Sequence, residues 1–296
     1  MSISDLSALP APSLLEELDY ETILSEMIER YQLANPDFDA LLESDPIYKT
    51  LEVAAYYRVK DRQRVNEAAK AVMLALASDA DLDQIGARYA VERQLITPAD
   101  ETTIPPTDAV YESDDDFRRR ILLAFDGLSV AGPEQSYISH ALSADPSIAD
   151  VSAMMTAPGQ VQVTLLSRNG NGQANASQIA HVAAALNAEE VRPLTDQVRV
   201  QSAEIINYSV SATLYMQDGP EQEPILTAAN AALDTYVANQ QRLGRNIRRS
   251  AIMAALSVSG VQYVDLTQPA EDLVLSRAQA SYCTETSIRN GGNDDG

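Results

Sequence analysis

The most constraining feature of this chain is an unbroken alternation. Ile206, Tyr208, Val210, Ala212, Leu214 and Met216 are apolar, and the residues between them are mostly polar. Successive side chains of a strand point to opposite faces, so this run fits a strand with one buried face. Such a strand is not stable alone; it needs paired neighbours and a cover for its apolar side. Gly219-Pro220 ends it. A helical pattern follows from about Glu221 to Gln241, with Ile225, Ala229, Leu233, Tyr236 and Val237 at helical spacing. A second, Arg248 to Leu256, leads through Gly260 into apolar runs at Val261–Leu266 and Leu273–Leu275.

A related pattern stands earlier in the chain. Gly132-Pro133 opens a helix with Tyr137, Ile138, Ala141 and Leu142 facing inward, and Asp145-Pro146 closes it. Ile148 to Met155 alternates loosely, Pro158-Gly159 turns the chain, and Val161, Val163 and Leu165 alternate with Gln162 and Thr164. A helix from about Ala176 to Glu189 and a strand with Val198 and Val200 complete the unit. SYISHALSADPSIADVSAMM at 136–155 is similar to SAIMAALSVSGVQYVDLTQP at 250–269. Each is a Ser-started helix ending Ala-Leu-Ser, then a turn and a strand. This weak internal repeat predicts two small α+β domains with antiparallel strands, 113–203 and 204–280, of split β-α-β type. A polar tail over 281–296, ending NGGNDDG, reads as flexible.

The first 96 residues read as a helical arm. Residues 1–13, with Pro10 and Pro12, suit an extended lead-in, and Leu14, Leu18, Ile23, Met27 and Ile28 recur at helical spacing before Pro36. Asp45-Pro46 opens the longest periodic segment, to about Ala77, with Leu51, Ala55, Val65, Ala69, Val72 and Leu76 on one stripe. Arg58 and Arg62 fall on that stripe, beside Lys60, Arg64 and Lys70. A stripe that turns basic in its middle suits a helix packed at its ends and facing an acidic surface between them. That surface belongs either to this chain or to a partner, so Arg58, Arg62 and Arg64 are the candidate subunit-contact residues. A third helix covers Asp79 to Tyr89. Pro98, Pro105 and Pro106 then mark residues 97–112 as an extended linker.

Ser113 opens the next helix, with Asp116 completing an S-x-x-D capping box. Asp114, Asp115 and Asp116 each stand four residues before Arg118, Arg119 and Arg120, an arrangement that supports a short helix by about 0.2–0.5 kcal/mol per pair. Three consecutive helical positions point in different directions, so the acidic run is a helix start and not a cation site.

Composition narrows the function classes. A net charge of −22 argues against binding nucleic acid or an anionic membrane surface. Cys283 is the single cysteine, which excludes an internal disulfide. His140 and His181 have no metal-ligand partners at the required spacing, and the Asn169-Gly-Asn-Gly172 loop lacks the Lys-Ser/Thr of a phosphate loop. No catalytic, cofactor-binding or metal-binding residues emerge. The acidic start of the chain is unlike a secretory signal, and no apolar run approaches the ~18 residues of a spanning helix. A protein made and kept in a cytoplasm is expected.

Several stretches resemble one family. They are ESDDDFRRRI at 112–121, GLSVAGP at 127–133, HALSADPSIADV at 140–151, PGQVQVTLLS at 158–167 and EEVRPLTDQVRV at 189–200. LDYETILSEMIERYQ and DPIYKTLEVAAYYR nearer the start are also similar. The resemblance, from Leu14 to about Leu275, is to the baseplate J-like proteins of contractile-tailed phages and related contractile injection particles. It implies a structural protein with no enzyme activity and no cofactor. It also implies partners: a second copy and a smaller wedge protein within one baseplate wedge, then neighbouring wedges, with sheath and hub proteins nearby. Assembly in the bacterial cytoplasm into the baseplate of a virion or tail-like particle follows. The other function classes are a particle-associated cell-wall hydrolase and a receptor-binding or adhesive module.

Overall fold

The computed structural model of the protein describes residues 12–36, 42–128, 132–216 and 222–293. The start of the lead-in arm, Gly219-Pro220 and the last three residues of the tail lie outside them. The chain forms two compact units. One contains the residues up to Arg93 together with Ser113–Leu122; the other contains Gln94–Glu112 and the chain from Leu123 onward.

The first unit is helical. Helix α1 (Tyr20–Ala34) starts at Asp19, whose carboxylate accepts from the Thr22 N–H at 2.8 Å and the Thr22 hydroxyl at 2.6 Å. Helix α2 (Pro46–Ala71) begins on Pro46, where the missing N–H costs nothing. The two pack around Ile23, Leu24 and Ala55, flanked by Tyr20, Met27, Ile28, Tyr48, Leu51 and Val59. Their lengths differ: 15 residues against 26. At 1.5 Å per residue the shorter helix covers little more than half of the longer. The apolar stripe expected along α2 is therefore buried only in its first half, and Val65, Val72 and Leu76 are exposed. The helix also stops at Ala71, short of the expected Ala77, because Leu74 and Ala77 turn into a second cluster with Leu82, Ile85, Phe117 and Ile121.

That cluster joins α3 (Asp79–Arg88) to α4 (Asp114–Leu123). Ser113 Oγ accepts from the Asp116 N–H at 3.3 Å, as the capping signal predicts. The acids and arginines are used differently from the expected i,i+4 pairs. Arg118 pairs with Asp115 at 2.6 Å, three residues back, and donates to the carbonyls of Leu74 and Ala77 at 2.7 and 2.9 Å. Asp114 accepts from Arg93 at 2.7 Å and from the Asp79 N–H at 3.1 Å. Arg93 also pairs with Asp83 at 2.7 Å and lies 4.8 Å from the centre of the buried Phe117 ring. Helix α4 thus closes the helical unit and does not open the first α+β domain, so the expected boundary before residue 113 is corrected. The expected linker is corrected too. Residues 95–111 form a β-hairpin, β1 (Leu95–Thr97) antiparallel to β2 (Val110–Tyr111), extended by bridge pairing of Asp100 with Thr107.

The second unit carries two three-stranded sheets. After α5 (Glu134–Ala144), β3 (Ile148–Ala157) and β4 (Gln160–Ser167) form an antiparallel hairpin; α6 (Ala176–Leu186) then leads to β5 (Gln197–Ser202), parallel to β4. The turn between β3 and β4 holds Gly159 at φ +70°, and a Cβ there would meet the Thr195 carbonyl at 2.9 Å. The second sheet is centred on β6 (Glu204–Met216), the alternating strand. Helices α7 (Gln222–Gln240) and α8 (Arg249–Leu256) follow, then β7 (Val261–Gln268), antiparallel to β6, and β8 (Gln279–Asn293), parallel to it. Tyr208, Val210, Ala212, Leu214 and Met216 pack on Ala229, Leu233, Ile252 and Leu256 of the two helices.

The fold is α+β, a helical unit followed by two small sheets with helices, and the sheets mix one antiparallel with one parallel pairing each. In both, the parallel strands are neighbours, so the split β-α-β arrangement is not formed. The repeat is real but permuted. The similar segments are α5–β3 and α8–β7, each a helix leading into the strand antiparallel to the centre. In the first sheet that pair precedes the central strand; in the second it follows the central strand and its helix.

The polar tail is mostly strand. Residues 281–293 belong to β8, because the second edge of β6 is otherwise unpaired and Cys283 and Ile288 pack against its core. The two sheets adjoin within the second compact unit. Ala203 alone separates β5 from β6, with its N–H bonded to Leu165 at 2.8 Å while Glu204 bonds Ala278 at 3.0 Å. Leu166, Ala203 and Ala280 form an apolar seam with Ala149, Ile205 and Leu243. Beside it, the buried Asp150 carboxylate accepts from the backbone of Leu243 at 3.0 Å and Val151 at 2.9 Å, and Arg242 donates to the Ala149 carbonyl.

Asp150→Ala strands the Leu243 N–H and lowers the unfolding free energy by about 1–3 kcal/mol in urea titration. Asp265→Ala, on the exposed side of β7, stays within about 0.5 kcal/mol. For Asp114, burial pushes the carboxyl up, but the Asp79 N–H and the Arg93 guanidinium outweigh it and hold the group below its usual 3.8. A depressed folded-state value gives stability that is present above about pH 3.8 and lost as pH falls through the lower folded value. Urea titrations across pH 5 to 2 are expected to show that loss in the wild type, with a shallower slope in Asp114→Asn.

Candidate functional site

Helix α2 has two usable faces because α1 packs against one side of it only. Ala55, Leu51, Val59, Arg62 and Asn66 recur on the side toward α1. On the opposite side Val53, Tyr56, Tyr57, Lys60 and Arg64 fall at i, i+3, i+4, i+7 and i+11, one continuous stripe. Val53, Tyr56 and Tyr57 are all more than half exposed. The Tyr rings meet edge to face, with centres 5.5 Å apart, and Lys60 Nζ lies 5.3 Å from the centre of the Tyr56 ring. These contacts hold two large aromatic rings in place on the surface, as interface anchors require.

The three arginines read from the sequence separate on this helix. Arg62 is taken up within the chain: its Nε and Nη2 reach Glu16 at 2.7 and 3.1 Å, a two-point pair. Asn66 adds bonds to the Glu16 backbone, donating to the carbonyl at 2.8 Å and accepting from the N–H at 3.1 Å. So the acidic surface facing the middle of α2 is, for Arg62, the segment before α1. Arg64 is 84 % exposed and reaches only Glu67, at 3.8 Å. Arg58 is exposed, with no ion pair among the described residues. Arg58 and Arg64 remain as the outward cations. The neighbouring Tyr56 and Tyr57 complete the surface; sequence reasoning passed over them, although their spacing with Lys60 and Arg64 carried the signal.

Groups with catalytic potential are tied up structurally. Ser147, Asp145 and His181 come together, but with the carboxylate in the middle. Ser147 Oγ donates to Asp145 at 2.5 Å, and His181 Nδ1 lies 3.3 Å from the other Asp145 oxygen. A nucleophilic triad needs the imidazole between hydroxyl and acid, so this order transfers no proton from serine to histidine. Gln178, which also completes the Asn175 capping box, donates to Ser147 and Ser167 at 2.7 and 2.9 Å. The trio therefore fastens the turn into β3 to α6 and β4. Burial of the Asp145 carboxyl raises its pKa, and the Ser147 and His181 contacts bring it below the usual range. Tyr137 donates to Asp196 at 2.7 Å beside an open groove of about 530 Å³. Burial, then that hydrogen bond, pushes its hydroxyl well above the usual range, so it is no base at neutral pH. Burial likewise raises the Cys283 thiol, which leaves little thiolate. Among the described residues no cluster of His, Cys, Asp and Glu is placed to hold a metal ion, and no helix is long and apolar enough to cross a membrane.

Sequence models match in three consecutive blocks: the baseplate J-like N-terminal domain over residues 43–100, the central domain over 129–202 and the C-terminal domain over 208–288. Baseplate protein J of Escherichia phage P2 is 52% identical over 302 aligned residues, covering 100% of both chains. A chain in the cryo-EM structure of the anti-feeding prophage baseplate, 6-fold symmetrised, aligns at 14% identity and a TM-score of 0.41. That alignment covers 62% of this chain and spans 43% of the other.

The division among the arginines is measurable. Arg62→Ala is expected to lower the unfolding free energy by about 0.2–1 kcal/mol, the range of an exposed ion pair. Arg64→Ala is expected to leave it unchanged in the same urea titration.

Proposed function

The chain belongs to the baseplate J-like family, and we propose that it is a structural component of the baseplate wedge of a contractile tail. The observation that carries this is the full-length similarity to baseplate protein J of phage P2, through all three family domains. In this reading two copies clasp a smaller wedge protein, wedges join into a ring around the central hub, and sheath contraction starts when the ring rearranges. The particle is built in the bacterial cytoplasm, and the chain then resides in the baseplate of the finished virion or tail-like particle.

The physical features support a scaffold. The titratable groups that come together, Asp145 with His181 and Tyr137 with Asp196, fasten elements of the fold. The outward face of α2 has the aromatic and cationic side chains that interfaces favour, within a chain of net charge −22. In this reading the exposed Arg58 and Arg64 are the subunit-contact residues, while Arg62 pairs with Glu16 within the chain.

Co-expression with the smaller wedge protein tests the reading. Multi-angle light scattering is expected to show a defined hetero-complex containing two copies of this chain; free monomers only would overturn it. Arg58→Glu with Arg64→Glu is expected to weaken that complex at least tenfold, while urea unfolding of the isolated chain shifts by less than about 0.5 kcal/mol.

A further inference from the structure

The β1–β2 hairpin ends in a preformed apolar tip. Residues 101–108, Glu-Thr-Thr-Ile-Pro-Pro-Thr-Asp, are all exposed, and Ile104 is 100% exposed. The tip is internally braced. Asp100 and Thr107 exchange backbone hydrogen bonds of 2.9 and 3.0 Å across its base. The Asp100 carboxylate accepts from the Thr102 N–H at 2.8 Å and the Thr102 hydroxyl at 2.5 Å, and Thr103 donates to the Asp100 carbonyl at 3.1 Å. Pro105 and Pro106 fix two more backbone angles. A loop ordered before binding loses little freedom on docking, which favours an interface role.

Its charge is one-sided. Asp100, Glu101 and Asp108 flank the apolar centre, and no Lys or Arg occurs between Arg93 and Arg118. The complementary surface is the outer face of α2. Lys60 and Arg64 lie on it, beside the rings of Tyr56 and Tyr57, in a chain of net charge −22. Aromatic surfaces are favoured seats for proline-containing segments, and the flanking cations match the flanking acids.

We propose that the tip around Ile104 of one copy docks on the Tyr56–Tyr57–Lys60–Arg64 face of a second copy. The proposal rests on the wedge reading and names the partner of that face. Ile104 and the two prolines lie against the Tyr rings, while Glu101 and Asp108 face Lys60 and Arg64. Tip and face are different surfaces of one chain, so the contact is head-to-tail and can propagate around a ring.

Assembled tails provide the test, with Cys283→Ser as the background. Two chains, one Ile104→Cys and one Tyr56→Cys, are incorporated together, and mild oxidation is expected to give a disulfide-linked dimer on a non-reducing gel. Particles that contain both chains and give no such dimer overturn the proposal and leave the wedge reading standing. Failure of the cysteine-background chain itself to enter baseplates counts against the reading. Sedimentation of the purified full chain adds a measurement independent of particle assembly. Lys60→Glu with Arg64→Glu is expected to weaken self-association about tenfold, with Glu101→Lys and Asp108→Lys in the partner restoring it. Self-association unchanged by either pair, or lost without rescue, overturns the proposal.

Discussion

The second unit depends on the central strand β6 having a partner on both edges. One face of that strand is filled by Tyr208, Val210, Ala212, Leu214 and Met216, which fixes its register against the covering helices. Its two edges are fixed by strands that arrive much later: Leu214 lies opposite Val264 of β7 and Asn290 of β8. The parallel partner requires the chain to cross back over the sheet before it can pair. Strand β7 carries the chain back along the sheet; helices α7 and α8 lie between β6 and β7, and their buried residues are the cover that the alternation demands. The last stretch of the chain is thus held by hydrogen bonding to β6 more than by its own composition.

The permuted order of the two sheets gives each a different joint. In the first, the antiparallel edge strand is followed directly by the centre, and a tight turn at Gly159 suffices. In the second, the antiparallel edge strand must lead to the opposite edge, so residues 269–278 pass along the sheet. They are secured by Ile247–Leu273 pairing, by the Asn246 side chain on the Leu275 N–H at 2.8 Å, and by Arg249 on the Pro269 and Leu266 carbonyls. Ala203 then passes the chain from the edge of one sheet to the centre of the other with no intervening loop. A side chain larger than methyl has little room there, between Leu166 and Ala280. The apolar seam joins the sheets here, and the buried Asp150 carboxylate ties them by accepting from the backbone of Val151 and Leu243.

What the sequence revealed follows from how local each signal is. The alternation at 206–216 and the helical spacing at 225–237 are complete within their own segments, and both elements form where expected. The repeat at 136–155 and 250–269 identified a helix–strand pair but not the central strand it pairs with, because pairing is decided by residues far apart. The stretch 281–293 misled for the opposite reason. Gly291 and Gly292 read as loop, yet the missing side chain at Gly291 leaves room for the Tyr215 ring, whose atoms come within 2.7 Å of where a Cβ would stand. In the candidate site, the basic run on α2 was visible, but its division was not. Arg62 turns inward only because Glu16 is brought alongside it by the packing of α1, and Arg58 and Arg64 stay outward because no such acid is placed beside them.

One-sided packing opens the outward face of α2, and the difference in helix length opens its far turns. A helix of 26 residues packed on one of 15 leaves unmatched turns, and an apolar stripe over those turns would be a surface without a partner. The sequence answers this by grading the helix. The covered turns carry Leu51, Ala55 and Val59, the middle carries Arg62 and Asn66 clasping the Glu16 backbone and side chain, and the far side carries Tyr56, Tyr57, Lys60 and Arg64. Tyr and cation together remain soluble when uncovered and bind well when covered, since the ring supplies apolar area and the charge supplies orientation. Within a chain of net charge −22, like charge opposes approach of a second copy over most of the surface, and in the proposed contact the basic, aromatic segment of α2 is where that opposition is lifted.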